Sequence, residues 1–229
     1  MSRETEIPDM GRRVPVRAAG DRAFLLTPED PDRVGYLVER LAGQTPADMV
    51  DALPAAETVL VTLDSESAAR RLRPVLERLV AAADTADPDD VSRGTSDESS
   101  EPVRIPVHYD GPDLDDVARQ LTLTPDEVIA AHTGTTWHCA FVGFAPGFGY
   151  LAAPDTRLNV ARRASARTRI AAGAVALAGG YSAVYPRETP GGWQLIGRTD
   201  LTMWDTERDP PALIRAGTRV RFVDAETVR

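Results

Sequence analysis

Two stretches of this chain combine residue types that could hold a small ligand. The first is Phe141-Val142-Gly143-Phe144-Ala145-Pro146-Gly147-Phe148-Gly149-Tyr150-Leu151. Glycine allows positive φ and proline withdraws a donor, so an extended strand entering this stretch must break. Large rings beside such glycines make a rigid loop whose backbone N–H groups can approach a ligand. The same composition also suits a bulged barrel corner with its rings in the core. A second stretch of the same kind, Thr189-Pro190-Gly191-Gly192-Trp193-Gln194-Leu195-Ile196-Gly197-Arg198-Thr199, favours a shared cleft over two unrelated corners. Phe144, Pro146, Gly147, Phe148, Gly191 and Gly192 are its candidate substrate-binding residues.

The basic residues narrow the chemistry. All 26 are arginine, so there is no phosphate-loop lysine and no Schiff-base lysine. Phosphate chemistry here must use arginine forks, backbone N–H groups or metal ions. A net charge of −9 argues against nucleic acid or an anionic membrane surface as partner. No apolar run approaches a membrane span, residues 1–13 do not read as a signal peptide, and the expected compartment is the cytoplasm. The single cysteine, Cys139, cannot form an internal disulfide and reads as a core thiol. His108 and His138 lack companions at metal-ligand spacing, so no metal site is expected.

The elements that must position these stretches follow from periodicity. Residues 14–18 and 23–26 read as short strands, 31–41 as an amphipathic helix, and 49–53 and 58–63 as further strands. Ser65 caps a long helix to Ala83, giving a small α/β module over residues 14–83. Residues 84–101 hold seven acids against one arginine and read as an acidic flexible linker. Residues 102–229 then form a β-rich domain. It opens with a strand at 103–109, a helix from Asp113 to Gln120, and a helix announced by the capping box Thr124-Pro125-Asp126-Glu127. In the strand 137–142, Trp137, Cys139 and Phe141 are expected on one face. Arg157 to Arg169 reads as a basic extended segment, Gly179-Gly180 as a hairpin tip between strands 173–178 and 181–185, and 193–196, 201–204 and 219–223 as strands. Short strands with Gly/Pro turns indicate a closed or nearly closed barrel, and the whole is an α+β chain.

These motifs, with Arg162-Arg163 to Arg167, Ile196-Gly197-Arg198-Thr199 and the closing Arg219-Val220-Arg221-Phe222, resemble the KipI family in the same order. That family is also known as allophanate hydrolase subunit 1, or the B subunit of 5-oxoprolinase. The resemblance runs from about Val14 to Val223 and implies a small α/β domain followed by a cyclophilin-like β-barrel. It implies one component of an ATP-dependent 5-oxoprolinase, inactive or weak alone, converting 5-oxo-L-proline with ATP and water into L-glutamate, ADP and phosphate. The implied partners are two further chains: a lactam-opening A subunit, plus a KipA-type C subunit. ATP, with magnesium, is the implied co-substrate, the interface between chains being one place for it. Two other readings are a KipI-like inhibitor of a histidine kinase and a carboxyltransferase-like component acting on urea- or allophanate-type amides.

A lactam amide is a poor electrophile, and activating its oxygen by phosphorylation demands positioning and charge stabilisation. Guanidinium forks suit that role, and Arg163, Arg167 and Arg198 are the candidates. His132 matches a family histidine and is the candidate acid–base residue, the alternative being a helix-end histidine favoured by the dipole. Tyr181 stands where the family pattern has glutamine, which points to altered substrate preference or to a paralogue that does not handle 5-oxoproline. Ala161, Ala166 and Ala171 replace expected prolines.

Overall fold

The structure is a computed structural model describing residues 14–43, 46–87, 101–153 and 156–227. The chain divides into two compact units, Met1–Thr95 and Ser96–Arg229.

The first unit holds strands β1 (Val16–Ala18), β2 (Ala23–Leu26), β3 (Met49–Pro54) and β4 (Val59–Leu63), with helices α1 (Arg33–Gly43) and α2 (Glu66–Thr85). The strands form one antiparallel sheet in the order β1-β2-β4-β3. Alternation in β4 buries Val59, Val61 and Leu63 against Leu37, Leu41, Leu76 and Val80 of the helices, which gives one apolar core. Ser65 caps α2 by accepting from the Ala68 N–H at 3.2 Å. α2 continues to Thr85, and Asp84, read from composition as linker, accepts from the Glu29 N–H at 2.8 Å. The rest of that acidic stretch, residues 88–100, lies outside the described residues.

The second unit is a seven-stranded sheet in the order β12-β9-β10-β7-β6-β13-β5, with β8 and β11 as a separate pair. Its strands are β5 (Val103–Val107), β6 (Trp137–Val142), β7 (Gly149–Ala152), β8 (Arg167–Ile170), β9 (Ala174–Ala178), β10 (Tyr181–Val184), β11 (Thr189–Gly191), β12 (Gln194–Arg198) and β13 (Arg219–Asp224). Helices α3 (Leu114–Leu121) and α4 (Pro125–Gly134) lie between β5 and β6. The capping box forms: Thr124 accepts from the Glu127 N–H while Glu127 accepts from the Thr124 N–H. The sheet nearly closes into a barrel because the chain after β5 pairs with β12. His108 and Arg198 exchange backbone bonds of 2.8 and 2.9 Å, and the Asp113 N–H donates to the Leu195 carbonyl at 2.9 Å. Gly111 and Gly197 make that seam possible. A Cβ on either would collide with the opposite backbone, at 2.3 Å from the Ile196 carbonyl carbon and 2.5 Å from the His108 oxygen respectively.

β9 is buried on both faces. Val175 and Leu177 enter the core under α3 and α4, whereas Ala174, Ala176 and Ala178 face a second core with Phe148, Tyr185 and Trp193. The expected strand at 201–204 reduces to a single bridge between Trp204 and Ala212. Conversely β7, β8 and β11, which periodicity alone did not separate from their loops, are strands. Among the described residues no helix is long and apolar enough to cross a membrane.

Candidate functional site

The two ring-and-glycine stretches meet on the second face of the barrel sheet. A bulge in β6 makes this happen. Cys139 pairs with Leu151, and Phe141 pairs with Tyr150, so Ala140 is the extra residue. Such a bulge breaks the period of two and turns later side chains to the other face. Phe141 therefore leaves the side of Trp137 and Cys139, contrary to simple alternation, and stacks on Tyr150 at 4.3 Å between centroids. Phe148 follows, edge-on to Tyr150 at 5.0 Å, to Tyr185 at 5.3 Å and to Trp193 of the second stretch at 5.6 Å. Tyr181 meets Phe141 and Tyr150 edge-on. Edge-to-face rings at these spacings gain beyond their area burial, which makes this floor stiff. Gly191 is required in it: a Cβ there would sit 2.5 Å from the Tyr185 hydroxyl. Gly192 is in a roomier place, and its carbonyl accepts from the Arg163 N–H at 2.8 Å.

Phe144, Pro146 and Gly147 point to a different place, an open groove of about 490 Å³ that they line with Val142, Trp204 and Ile214. Phe144 has a φ of +67° and is 58% exposed, while its ring edge touches Phe148. Gly147, at a φ of +81°, lets the Met203–Trp204 backbone approach; a Cβ would lie 2.9 Å from the Trp204 Cβ.

Arg163 and Arg167 converge, but on a carboxylate. Asp113, 1% exposed, accepts from Arg163 at 2.6 Å and from both terminal nitrogens of Arg167 at 2.8 Å. The Leu195 N–H adds a fourth bond at 2.7 Å. Burial alone would raise the Asp113 pKa. The Arg167 hydrogen bonds, the Leu195 N–H and the two guanidinium charges outweigh it and hold the carboxyl below its ordinary range. Asp113 stands at the N-cap of α3, yet its carboxylate caps nothing there, being committed to β12 and the arginines. This residue was not singled out from the sequence. Its aspartate before a helix reads as an ordinary cap, and its partners Arg163 and Arg167 lie 50 and 54 residues away. Arg198 pairs elsewhere, with Asp110 at 2.9 Å.

His132 is fully buried. Its Nδ1 lies 2.7 Å from the Tyr109 hydroxyl and its Nε2 2.9 Å from the Ser182 hydroxyl, so both ring nitrogens are satisfied in either neutral tautomer. Phe222 stacks on the ring at 4.1 Å, and burial pulls its pKa down to about 3. These contacts tie α4 to β10 and β13. Cys139 is likewise buried, its thiol pushed up to about 12 by burial and donating to the Phe141 carbonyl.

Comparison with known proteins places this geometry. The family pattern described as "Carboxyltransferase domain, subdomain C and D" matches residues 14–214. The chain is 36% identical to the 5-oxoprolinase B subunit of Escherichia coli O157:H7 over 214 residues, 89% of this chain and 93% of that protein. It is 47% identical to the 5-oxoprolinase B subunit of Bacillus subtilis over 124 residues, 53% of this chain and 52% of that one. Among solved structures, TTHA0988 shares 34% identity at a TM-score of 0.67, covering 89% of this chain and 40% of the longer one. PH0987 from Pyrococcus horikoshii shares 32% at 0.51, over 91% and 96% of the two chains. The K. lactis urea amidolyase, at 21% identity and a TM-score of 0.65, shares the fold. A pattern covering most of the chain and a relative aligned nearly end to end lead to one conclusion: the chain belongs to the family of 5-oxoprolinase B subunits, built on carboxyltransferase subdomains C and D.

Proposed function

We propose that this chain is the B subunit of an ATP-dependent 5-oxoprolinase, inactive alone and working in the cytoplasm with two further chains, a lactam-opening A subunit plus a KipA-type C subunit. The observation that carries the reading is the likeness to the E. coli relative across 93% of that protein. The geometry supports it in kind, because the two motif stretches share one stiff aromatic floor beside an open apolar groove. In this reading Phe148, Tyr181, Gly191 and Gly192 shape the floor against which a flat lactam ring lies, and Phe144, Pro146 and Gly147 form the rim.

ATP would supply activation of the lactam oxygen by phosphoryl transfer. The three candidate arginines are already held by carboxylates of this chain. Arg163 and Arg167 are engaged by Asp113, Arg198 is engaged by Asp110, and among the described residues no three His, Cys, Asp or Glu side chains gather as a metal site. In this reading the nucleotide lies at the interface between this chain and its partners. The part left to this chain is to orient the lactam and exclude water from one side of it.

The test is co-expression with both partner chains, then measurement of glutamate released from 5-oxo-L-proline. Release that requires ATP and all three chains is expected. No release, with tight binding to a histidine-kinase dimerisation domain, would replace the reading by the inhibitor; ATP-dependent turnover of urea-type amides alone would replace it by the carboxyltransferase-like component.

A further inference from the structure

The basic segment carries four arginines between residues 162 and 169, and three have carboxylate partners. Arg163 and Arg167 hold Asp113, and Arg169 donates to Glu188 at 2.6 Å. Arg162 is exposed and has no carboxylate partner among the described residues.

The backbone around Arg162 is nonetheless fixed from both sides. The Gly179 N–H donates to the Val160 carbonyl at 2.7 Å, the Gln194 side-chain amide to the Ala161 carbonyl at 3.2 Å, and the Arg163 N–H to the Gly192 carbonyl at 2.8 Å. Arg162 is thus laid between the hairpin tip that leads into Tyr181 and the turn that leads into Trp193. Those rings belong to the aromatic floor, where Tyr150 meets Tyr181 at 5.9 Å and Trp193 at 5.6 Å. Tyr150 and Tyr181 are half-buried, whereas Tyr185 is buried with its hydroxyl against Gly191. The Arg162 charge reaches this floor: burial raises the Tyr150 and Tyr185 phenols, and Arg162 pulls both back.

We propose that Arg162, with the half-buried rings of Tyr150 and Tyr181, is a subsite for a small carboxylate that carries a flat ring. A guanidinium donates to a carboxylate through two parallel N–H bonds. The rings supply a stacking surface for the body of the ligand. This deepens the function proposed above and rests on it. 5-Oxo-L-proline is a flat lactam with one carboxylate, and gripping the carboxylate here leaves the lactam bond free for the other chains.

The experiment uses the assembled three-chain complex with full-length wild type, Arg162→Gln and Arg162→Lys chains. Two probes are compared by calorimetry and by steady-state kinetics: 5-oxo-L-proline, and 2-pyrrolidinone, the same lactam without its carboxylate. Arg162→Gln is expected to raise Kd and KM for 5-oxo-L-proline about 10- to 100-fold, the loss of one charge-assisted pair, with kcat nearly constant. Binding of 2-pyrrolidinone is expected to be the same in both chains, and Arg162→Lys to fall between them, since a point charge keeps attraction but loses the fork. An unchanged Kd for 5-oxo-L-proline in Arg162→Gln, equal losses for both probes, no binding by the wild type, or displacement by inorganic phosphate at equal concentration would overturn the subsite. Carboxylate binding through Arg162 without ATP-dependent glutamate release would leave the subsite standing and remove the functional reading; turnover indifferent to Arg162 would do the reverse.

Discussion

The two faces of the barrel sheet handle polar groups in opposite ways. Under α3 and α4, His132 is enclosed, its nitrogens on Tyr109 and Ser182 and its ring on Phe222. On the other face, Phe141, Phe148 and Trp193 make an apolar floor whose polar neighbours, Tyr150, Tyr181 and Arg162, retain exposure. At the closing seam, Asp113 gathers two arginines from this second side and locks them to β12. Polar groups that are mutually satisfied and buried specify the fold, whereas those left at an edge are available to a ligand. In the reading proposed above, His132, Asp113, Arg163 and Arg167 hold the fold, and the aromatic floor and Arg162 recognise the ligand.

The largest way to break this division is at the seam. Asp113→Ala would leave two guanidinium groups and the Leu195 N–H without their shared acceptor. A cost of about 3 kcal/mol in urea unfolding is expected, toward the low end for a broken buried pair because both arginines keep partial exposure. A cost below about 1 kcal/mol would show the cluster to be dispensable to the fold and reopen both arginines as ligand groups.

His132 offers the next test, by pH. Its folded pKa, about 3, lies below that of the unfolded chain, near 6.5, so the unfolded state takes up the proton first. Stability is full above pH 6.5 and falls as pH drops toward 3, by about 2 kcal/mol between pH 7.5 and pH 5. His138, also lowered by burial, acts in the same direction, so the comparison needs His138→Gln and His132→Gln separately. The steeper flattening belongs to His132. Asp113, whose pKa is depressed, acts in another window: its contribution is present above about pH 4 and is lost as pH falls through the folded value. A wild-type curve flat from pH 7.5 to 5 would mean that His132 is not held neutral.

On the aromatic face the expected effect is smaller. Gly191→Ala would push a methyl to within 2.5 Å of the Tyr185 hydroxyl and 2.9 Å of Ile170. About 1.5 kcal/mol of overpacking is expected, measured by thermal melting, with Gly192→Ala costing less because its nearest neighbour is 3.8 Å away. Equal costs at the two glycines would remove the claim that the floor is closely packed there.

How much of this could be read from the residues alone depended on range. The α4 capping box, the Gly179-Gly180 hairpin and the Val/Leu stripes of the first unit are local signals, legible because their partners lie within a few residues. β8 and β11 hold only four and three residues, rich in arginine or proline, and no periodicity develops in so short a run. The Ala140 bulge leaves no mark in Trp137-His138-Cys139-Ala140-Phe141-Val142, which alternates as an unbroken strand would; only pairing with β7 reveals that Phe141 has changed sides. Asp113 was hidden for a related reason, as its role is set by residues 50 and 54 positions later. The arginines were legible as forks. What they hold was not.

Phe144 makes the finest test of the division, because there the fold and the site ask for different residues. Its left-handed backbone costs a non-glycine residue about 1 kcal/mol, and its exposed ring recovers little of that by burial. Phe144→Gly removes that strain but gives the unfolded chain more freedom to lose, an opposing effect of similar size. The net change in stability is expected to stay within about 0.5 kcal/mol. Strain retained at an exposed position is characteristic of functional sites, so the same substitution should lower ATP-dependent turnover by the assembled complex well beyond what the stability change explains. If turnover is untouched while stability drops by more than about 1 kcal/mol, the ring is a piece of the barrel corner, and the rim of the site must be sought across the groove at Trp204 instead.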